Sequence, residues 1–203
     1  MVRTAVYAGT FDILTYGHLH MIDQGCALFD KLIVAIGTNP NKKSIFTPEE
    51  RLELLNACVN AEEFIENGKR TCLFYENDIM KIETAIFNNM YLVDYCEERK
   101  AQFYLRGLRD EKDFTFEMAI VDINHESFAR RGRFAKPVWI PTDKRFRHIS
   151  SSTVLSLIGP KGWEWIVRDY VPPPVFKKLL EKFNGEHPDD QYRRENPQND
   201  EDE

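Results

Sequence analysis

Strand-like apolar stretches alternate with helical stretches along the 203 residues, and that alternation predicts an α/β fold: a parallel sheet wrapped by helices on both faces through right-handed crossovers. Two further observations agree with it. The first apolar stretch, Val2–Ala8, runs directly into a bend at Gly9-Thr10-Phe11-Asp12, where a strand-to-helix turn exposes unpaired N–H groups and a positive helix end to an anion. Four polar segments each follow a predicted strand, so a parallel sheet would gather them at its carboxyl edge, where such sheets hold ligands.

Val2–Ala8 reads as a buried strand, and Leu19, Ile22, Cys26 and Phe29 then recur at helical spacing over about Gly17 to Phe29. Leu32–Gly37 is a second strand of β-branched type. The loop Thr38–Phe46 leads to a helix announced by Thr47-Pro48-Glu49-Glu50: Thr47 caps, Pro48 suits the first helical position and Glu50 closes a capping box. Leu52, Leu55 and Val59 form its inner stripe. Cys72–Tyr75 is a third predicted strand and Phe103–Arg106 a fourth. Between them Ile79, Ile82, Ile86, Met90 and Val93 keep a helical period, which predicts one long helix or two consecutive ones. A helix from about Lys112 to Phe128, a strand near Val138–Pro141 and a short capped helix over Ser150–Ile158 follow. After Pro172-Pro173-Pro174, the stripe Phe176, Leu179, Leu180, Phe183 marks a last helix.

With 42% apolar residues the chain can bury one core, so residues 1–184 are read as one domain. The net charge of −6 resides in the tail: residues 185–203 hold eight acids and two bases, leaving 25 acids against 25 bases elsewhere. The tail has no core-forming pattern and is expected to be disordered. A neutral body has no net basic field for nucleic acid. Cys26, Cys58, Cys72 and Cys96 form no Cys-x-x-Cys pair, so a reducing compartment is the simpler reading. The longest wholly apolar run, Leu32–Ile36, is far too short to span a bilayer, and the chain has no signal-peptide pattern at its start. A cytoplasmic protein without membrane attachment is expected.

The candidate site residues lie on the segments after the strands. Thr10 and His18 add side-chain donors to the first bend, whereas His20 points to a different face. Lys42 and Lys43 would be solvated charge if they stood alone; beside a phosphate pocket, Lys42 becomes an anion ligand. Arg106-Gly107-Leu108-Arg109 leaves a strand with two guanidinium forks suited to phosphate oxygens. Asp113 and Glu117 share a helix face. Of Ser150, Ser151 and Ser152, one is needed as a cap, and all three place donors at a helix start.

Taken together, these residues resemble phosphopantetheine adenylyltransferase, a Rossmann-like enzyme of the nucleotidyltransferase superfamily that acts in coenzyme A synthesis. The matching motifs are Gly9-Thr10-Phe11-Asp12, Thr15-x-Gly17-His18, Asn39-Pro40-x-Lys42-Lys43, Phe46-Thr47-x-Glu49-Glu50-Arg51 and Arg106-Gly107-Leu108-Arg109. Asp113-Phe114-x-x-Glu117, Ile149-Ser150-Ser151-Ser152 and Val171-Pro172-Pro173 complete the set, in the family's order over residues 1–183. The chain departs from the pattern at Ile13, where the family usually has Pro, at Tyr16, where it has Asn, and at Phe146-Arg147-His148, where it has an aromatic-Ser-aromatic run. The stretch Asn60–Asn89 looks longer than usual, which places an extra helical insertion within about 60–90. The acidic tail is also additional.

The resemblance implies that ATP and 4′-phosphopantetheine give dephospho-coenzyme A and pyrophosphate by direct in-line attack. His18 would hold the α-phosphate, Thr10 and Lys42 would orient the attacking phosphate, and Arg106 and Leu92 would face the pantetheine substrate. Thr10, Phe11, His18, Gly107, Leu108, Arg109, Glu117 and the run Phe146, Arg147, His148, Ile149, Ser150, Ser151, Ser152 would line the ATP site. Mg²⁺ is expected on the triphosphate, with no dedicated protein cage, and a homo-oligomer, a hexamer, is implied. The alternatives are a cytidylyltransferase or nicotinamide mononucleotide adenylyltransferase of the same superfamily, or a non-catalytic nucleotide-binding protein. Cytidylyltransferases typically carry His where Thr15 stands, and the pairing of Arg-Gly-Leu-Arg with Asp-Phe-x-x-Glu favours the pantetheine enzyme.

Overall fold

A computed structural model describes residues 2–38, 44–59, 65–66, 69–70, 82–128 and 135–184. Strand β1 (Thr4–Gly9) leads into α1 (Tyr16–Leu28), and β2 (Lys31–Gly37) into α2 (Pro48–Val59). The short strands β3 (Ile65–Glu66) and β4 (Lys69–Arg70) pair antiparallel with each other. Then β5 (Ile82–Phe87) leads into α3 (Leu92–Glu98), β6 (Phe103–Leu108) into α4 (Glu111–Phe128), and β7 (Lys136–Pro141) into α5 (Ser151–Leu157). Helices α6 (Trp163–Val167) and α7 (Pro173–Phe183) complete the described chain.

The five long strands form one all-parallel sheet in the order β5-β2-β1-β6-β7. The chain builds outward from β1 through β2 to β5, then returns to the other side of β1 for β6 and β7. The gap between β1 and β6 is therefore the topological switch point, where an open α/β sheet leaves a crevice beyond its carboxyl ends. Both faces of the sheet are covered, which is why β1 and β2 read as nearly continuous apolar runs. Ala5 and Tyr7 with Leu32, Val34 and Ile36 face α1, α2 and α7 through Leu19, Ile22, Leu55 and Leu179. Val6 and Ala8 with Ile33 and Ala35 face the other way, against Tyr95 and Cys96 of α3.

The predicted capping box is formed: Glu50 N–H donates to the Thr47 hydroxyl at 3.2 Å, and Thr47 N–H donates to the Glu50 carboxylate at 2.9 Å. Ser150 caps α5 by accepting from Thr153 N–H at 3.0 Å. One expectation is corrected. Ile82 and Ile86 do not belong to a helix; they lie on β5, in register with Leu32 and Ile36 of β2. A four-residue spacing satisfies a helix face and alternate strand positions equally, and Ile82, Thr84 and Ile86 share one side of this edge strand. Glu83 on β5 pairs with Lys31 at 2.6 Å and with Arg99, fixing the edge to β2 and α3. The residues described between 60 and 90 form strands, with a loop at 88–90; no helix is seen among them. The strand expected at Cys72–Tyr75, the loop residues 39–43 and the tail 185–203 lie outside the described residues.

Candidate active site

A cavity of about 610 Å³ opens at the switch point. The end of β1 supplies Tyr7 to Thr10, the start of α1 supplies Thr15, Gly17 and His18, and β6 with its following turn supplies Arg106, Gly107 and Arg109. Asp113, Phe116 and Glu117 enter from α4, Thr142, Phe146 and Ile149 from the segment after β7, and Ser150–Ser152 from the start of α5. The polar segments singled out in the sequence thus converge, with one exception: Lys42 lies outside the described residues.

His18 is held in one tautomer. The Thr15 backbone N–H, which can only donate, points at Nδ1 from 3.1 Å, and the Thr15 hydroxyl lies 3.0 Å from the same atom. Nδ1 must accept, so the neutral ring carries its proton on Nε2. Burial, reinforced by the Arg109 guanidinium, pushes the His18 pKa down to about 4. The group is a neutral donor at ordinary pH.

Both arginines are tied down. Arg109 donates from Nε to Asp113 at 2.9 Å and from Nη2 at 3.0 Å, and its backbone N–H adds a third bond at 3.0 Å. That guanidinium, hydrogen-bonded to Asp113, holds the Asp113 carboxyl below the usual carboxylate range. Arg106 donates from Nη1 to the Ala8 carbonyl at 2.9 Å, and its Nε lies 3.3 Å from Glu117 Oε1. Arg106 Nε and Glu117 Oε2 are buried without a hydrogen-bond partner among the described residues.

Two glycines are required for the approach of their neighbours. A Cβ on Gly9 would stand 3.1 Å from the Phe11 ring, and one on Gly107 would stand 3.0 Å from the Met21 sulfur. Phe11 occupies the left-handed region at φ 47°, with its ring buried edge-on to both Tyr7 and His18. Ser151 donates to the Ile13 carbonyl at 2.7 Å, joining α5 to the β1–α1 bend.

Several expected residues stand beside the cavity. Phe11 buttresses His18 from the core, and Leu108 ends β6 without lining the hollow. Arg147 turns back to donate to the Thr142 carbonyl at 3.0 Å, and the His148 ring packs against Tyr170. Leu92 packs against the second apolar cluster at the start of α3. Tyr7, Met21, Phe116 and Thr142 line the cavity although no sequence motif marks them. Tyr7 sits on an unbroken apolar strand, and burial raises its pKa so that it keeps its proton.

A second hollow of about 390 Å³ lies nearby, lined by Thr38, Ser44 to Pro48, Arg51 and Asn89. The Asp12 carboxylate accepts from Ile45 N–H at 2.8 Å and from Phe46 N–H at 3.1 Å, pinning this wall to the bend. No cluster of three His, Cys, Asp or Glu residues that could hold a metal ion occurs among the described residues. None of their helices is long and apolar enough to cross a membrane.

The family match defines a nucleotidyltransferase: the cytidylyltransferase-like family matches residues 6–156. Phosphopantetheine adenylyltransferase of Chromobacterium violaceum is 33% identical over 183 residues, covering 90% of this chain and 99% of that protein. The Neisseria meningitidis enzyme of the same name is 35% identical over 185 residues, covering 91% and 96%. Plasmodium falciparum nicotinic acid mononucleotide adenylyltransferase, solved in complex with NaAD, shares the fold with a TM-score of 0.58 at 17% identity, covering 89% of this chain and 96% of that one. The chain belongs to the phosphopantetheine adenylyltransferase family.

Proposed function

We propose a residue-level account of how this chain performs its family's reaction, transfer of the adenylyl group of ATP to 4′-phosphopantetheine to give dephospho-coenzyme A and pyrophosphate. An oxygen of the acceptor phosphate forms a bond to the α-phosphorus while the bond from that phosphorus to the bridging oxygen of pyrophosphate breaks. No side chain becomes covalently attached. The difficulty is the alignment and repulsion of two anions, so catalysis reduces to positioning and to fixed donors.

The single observation that carries this reading is the tautomer of His18, whose Nδ1 is occupied by the Thr15 N–H and whose Nε2 proton remains for a phosphate oxygen. A neutral donor of fixed direction stabilises charge as it develops without binding the ground-state triphosphate as strongly as a cation would. Arg109, held by Asp113, and Ser150–Ser152 serve the phosphates of ATP. Glu117 and Phe146 serve the nucleoside, while Gly107 admits it closely.

Thr10, Lys42 and Arg106 orient the acceptor phosphate, and the smaller hollow beyond Thr38 and Asn89, with Leu92 nearby on α3, receives the pantetheine arm. Mg²⁺ would be carried by the phosphates, where it neutralises charge on the leaving pyrophosphate. Asp113 and Glu117 are already engaged with arginines, which fits a metal held by nucleotide rather than by the chain. On α4, Phe116 and Ile123, seven residues apart, are 65% and 58% exposed and offer an apolar face to a second copy, in keeping with a homo-oligomer.

A steady-state assay of pyrophosphate release with ATP, Mg²⁺ and phosphopantetheine tests the reading, with glycerol 3-phosphate and nicotinamide mononucleotide as competing acceptors. Turnover is expected with phosphopantetheine; preference for either of the others would refute it.

A further inference from the structure

Arg51 contradicts its surroundings. It stands in the first turns of α2, at the helix end where positive charge is disfavoured, and it is only 4% exposed. Burying a guanidinium is costly unless it is paired, yet Arg51 has no carboxylate partner among the described residues. Its Nη1 donates to the Thr10 carbonyl at 2.7 Å, and its Nε to the Thr47 carbonyl at 3.2 Å. Stability alone would favour an apolar side chain here, like its neighbour Leu55. Local rules broken in this way belong to functional sites.

We propose that Arg51 is a positioning residue for adenylyl transfer that acts through Thr10. The inference rests on the reaction described above and adds to it. In a planar trans peptide the carbonyl and the following N–H point in opposite directions. With the Thr10 carbonyl drawn onto Arg51, the Phe11 N–H is directed away from α2, and the Thr10 side chain is fixed relative to both. Asp12, two residues on, binds the N–H groups of Ile45 and Phe46, so the bend is fastened at two points to the wall of the smaller hollow. Arg51 itself lines that hollow, whereas Thr10 lines the larger cavity. One guanidinium thereby fixes the place assigned to the attacking phosphate relative to the hollow assigned to the pantetheine arm. Misplacement by about 1 Å can cost about 10²-fold in rate. Lysine cannot replace the fork, because a single ammonium cannot hold two carbonyls in fixed divergent directions.

The test is a double-mutant cycle on the full-length enzyme with Arg51→Lys, Thr10→Ala and the pair, measuring kcat and both KM values per folded molecule. Arg51→Lys is expected to lower kcat by about 10- to 100-fold with both KM values within about threefold of the parent. In the Thr10→Ala background the same change should cost less than about threefold, because the group it positions is gone. Two outcomes overturn the proposal: kcat of Arg51→Lys within about twofold of the parent, or an equal loss in both backgrounds, as a merely structural residue would give. If Arg51→Lys does not accumulate folded, Arg51→Gln, which retains an amide donor for one carbonyl, enters the same cycle under the same criteria. A parent enzyme that releases no pyrophosphate with phosphopantetheine removes the reaction and the inference together; an active parent with an additive cycle removes the inference alone.

Discussion

On the β6 side of the switch point, three donor side chains are engaged before any ligand arrives: Arg109 with Asp113, Arg106 with the Ala8 carbonyl, and His18 with Thr15. On the β2 side the fastening is made through main chain instead. Asp12 takes the N–H groups of Ile45 and Phe46, and Arg51 takes the Thr10 and Thr47 carbonyls. The contrast teaches where rigidity serves the chemistry. Donors that must meet charge appearing on a phosphate oxygen gain most by being oriented in advance, since no reorganisation is then required during the reaction. A hollow that accepts an arm needs mainly a wall of constant shape.

The largest test of this contrast is His18→Ala. Loss of one pre-oriented donor should reduce kcat by about 10²- to 10³-fold while the ATP dissociation constant changes by less than about threefold. Turnover close to the parent's would show that the β6 side owes nothing to that ring. Next comes Asp113→Asn, which leaves Arg109 without its fork-shaped anchor. A charge-assisted bond of this kind is worth on the order of 1.5–3 kcal/mol, so kcat/KM for ATP should fall about tenfold or more. An unchanged value would mean that Arg109 is oriented by something else.

The third test is pH. The His18 pKa lies near 4 in the folded protein, below the unfolded value, so between about pH 6.5 and 4 the unfolded chain binds the proton more readily. Stability from this group is therefore complete above about pH 6.5 and is lost as pH falls towards 4. Titration of the His18 ring by NMR should show a midpoint near 4, and the rate should have no acid limb from this group near neutrality. A midpoint at the ordinary histidine value would contradict the neutral-donor role. Smaller still, Thr47→Ala removes a cap at the wall of the smaller hollow and should destabilise the fold by about 1 kcal/mol in denaturant titration. Deleting 185–203 should leave both kinetic constants unchanged; a large loss would bring the tail into the site.

What can be read in the sequence is whatever local chemistry determines. Thr47, Pro48 and Glu50 mark the start of α2, and Ser150 the cap of α5, because capping involves residues only a few positions apart. The bend after β1 and the Arg106–Arg109 turn are legible as segments following apolar runs. Ile82 and Ile86 mislead because their spacing fits two periods, and the deciding partner, β2, lies about 50 residues earlier in the chain. In the same way Tyr7 and Thr142 enter the cavity through sheet register, which no local pattern reports. Arg147 and His148 sit beside true cavity residues in the chain, yet the turn that ends at Ile149 sends their side chains to the Thr142 carbonyl and to Tyr170.

The strand order also governs when the pocket comes into existence during synthesis. β1 meets β2 through Ala5 and Leu32, but meets β6 only when Phe103 arrives, some hundred residues after the first strand is made. A nascent chain that already holds the bend and the first helix therefore still lacks half of the lining of the larger cavity. Any ligand of that cavity can select only chains that have closed this long loop, and by mass action it stabilises that finished state against its precursors.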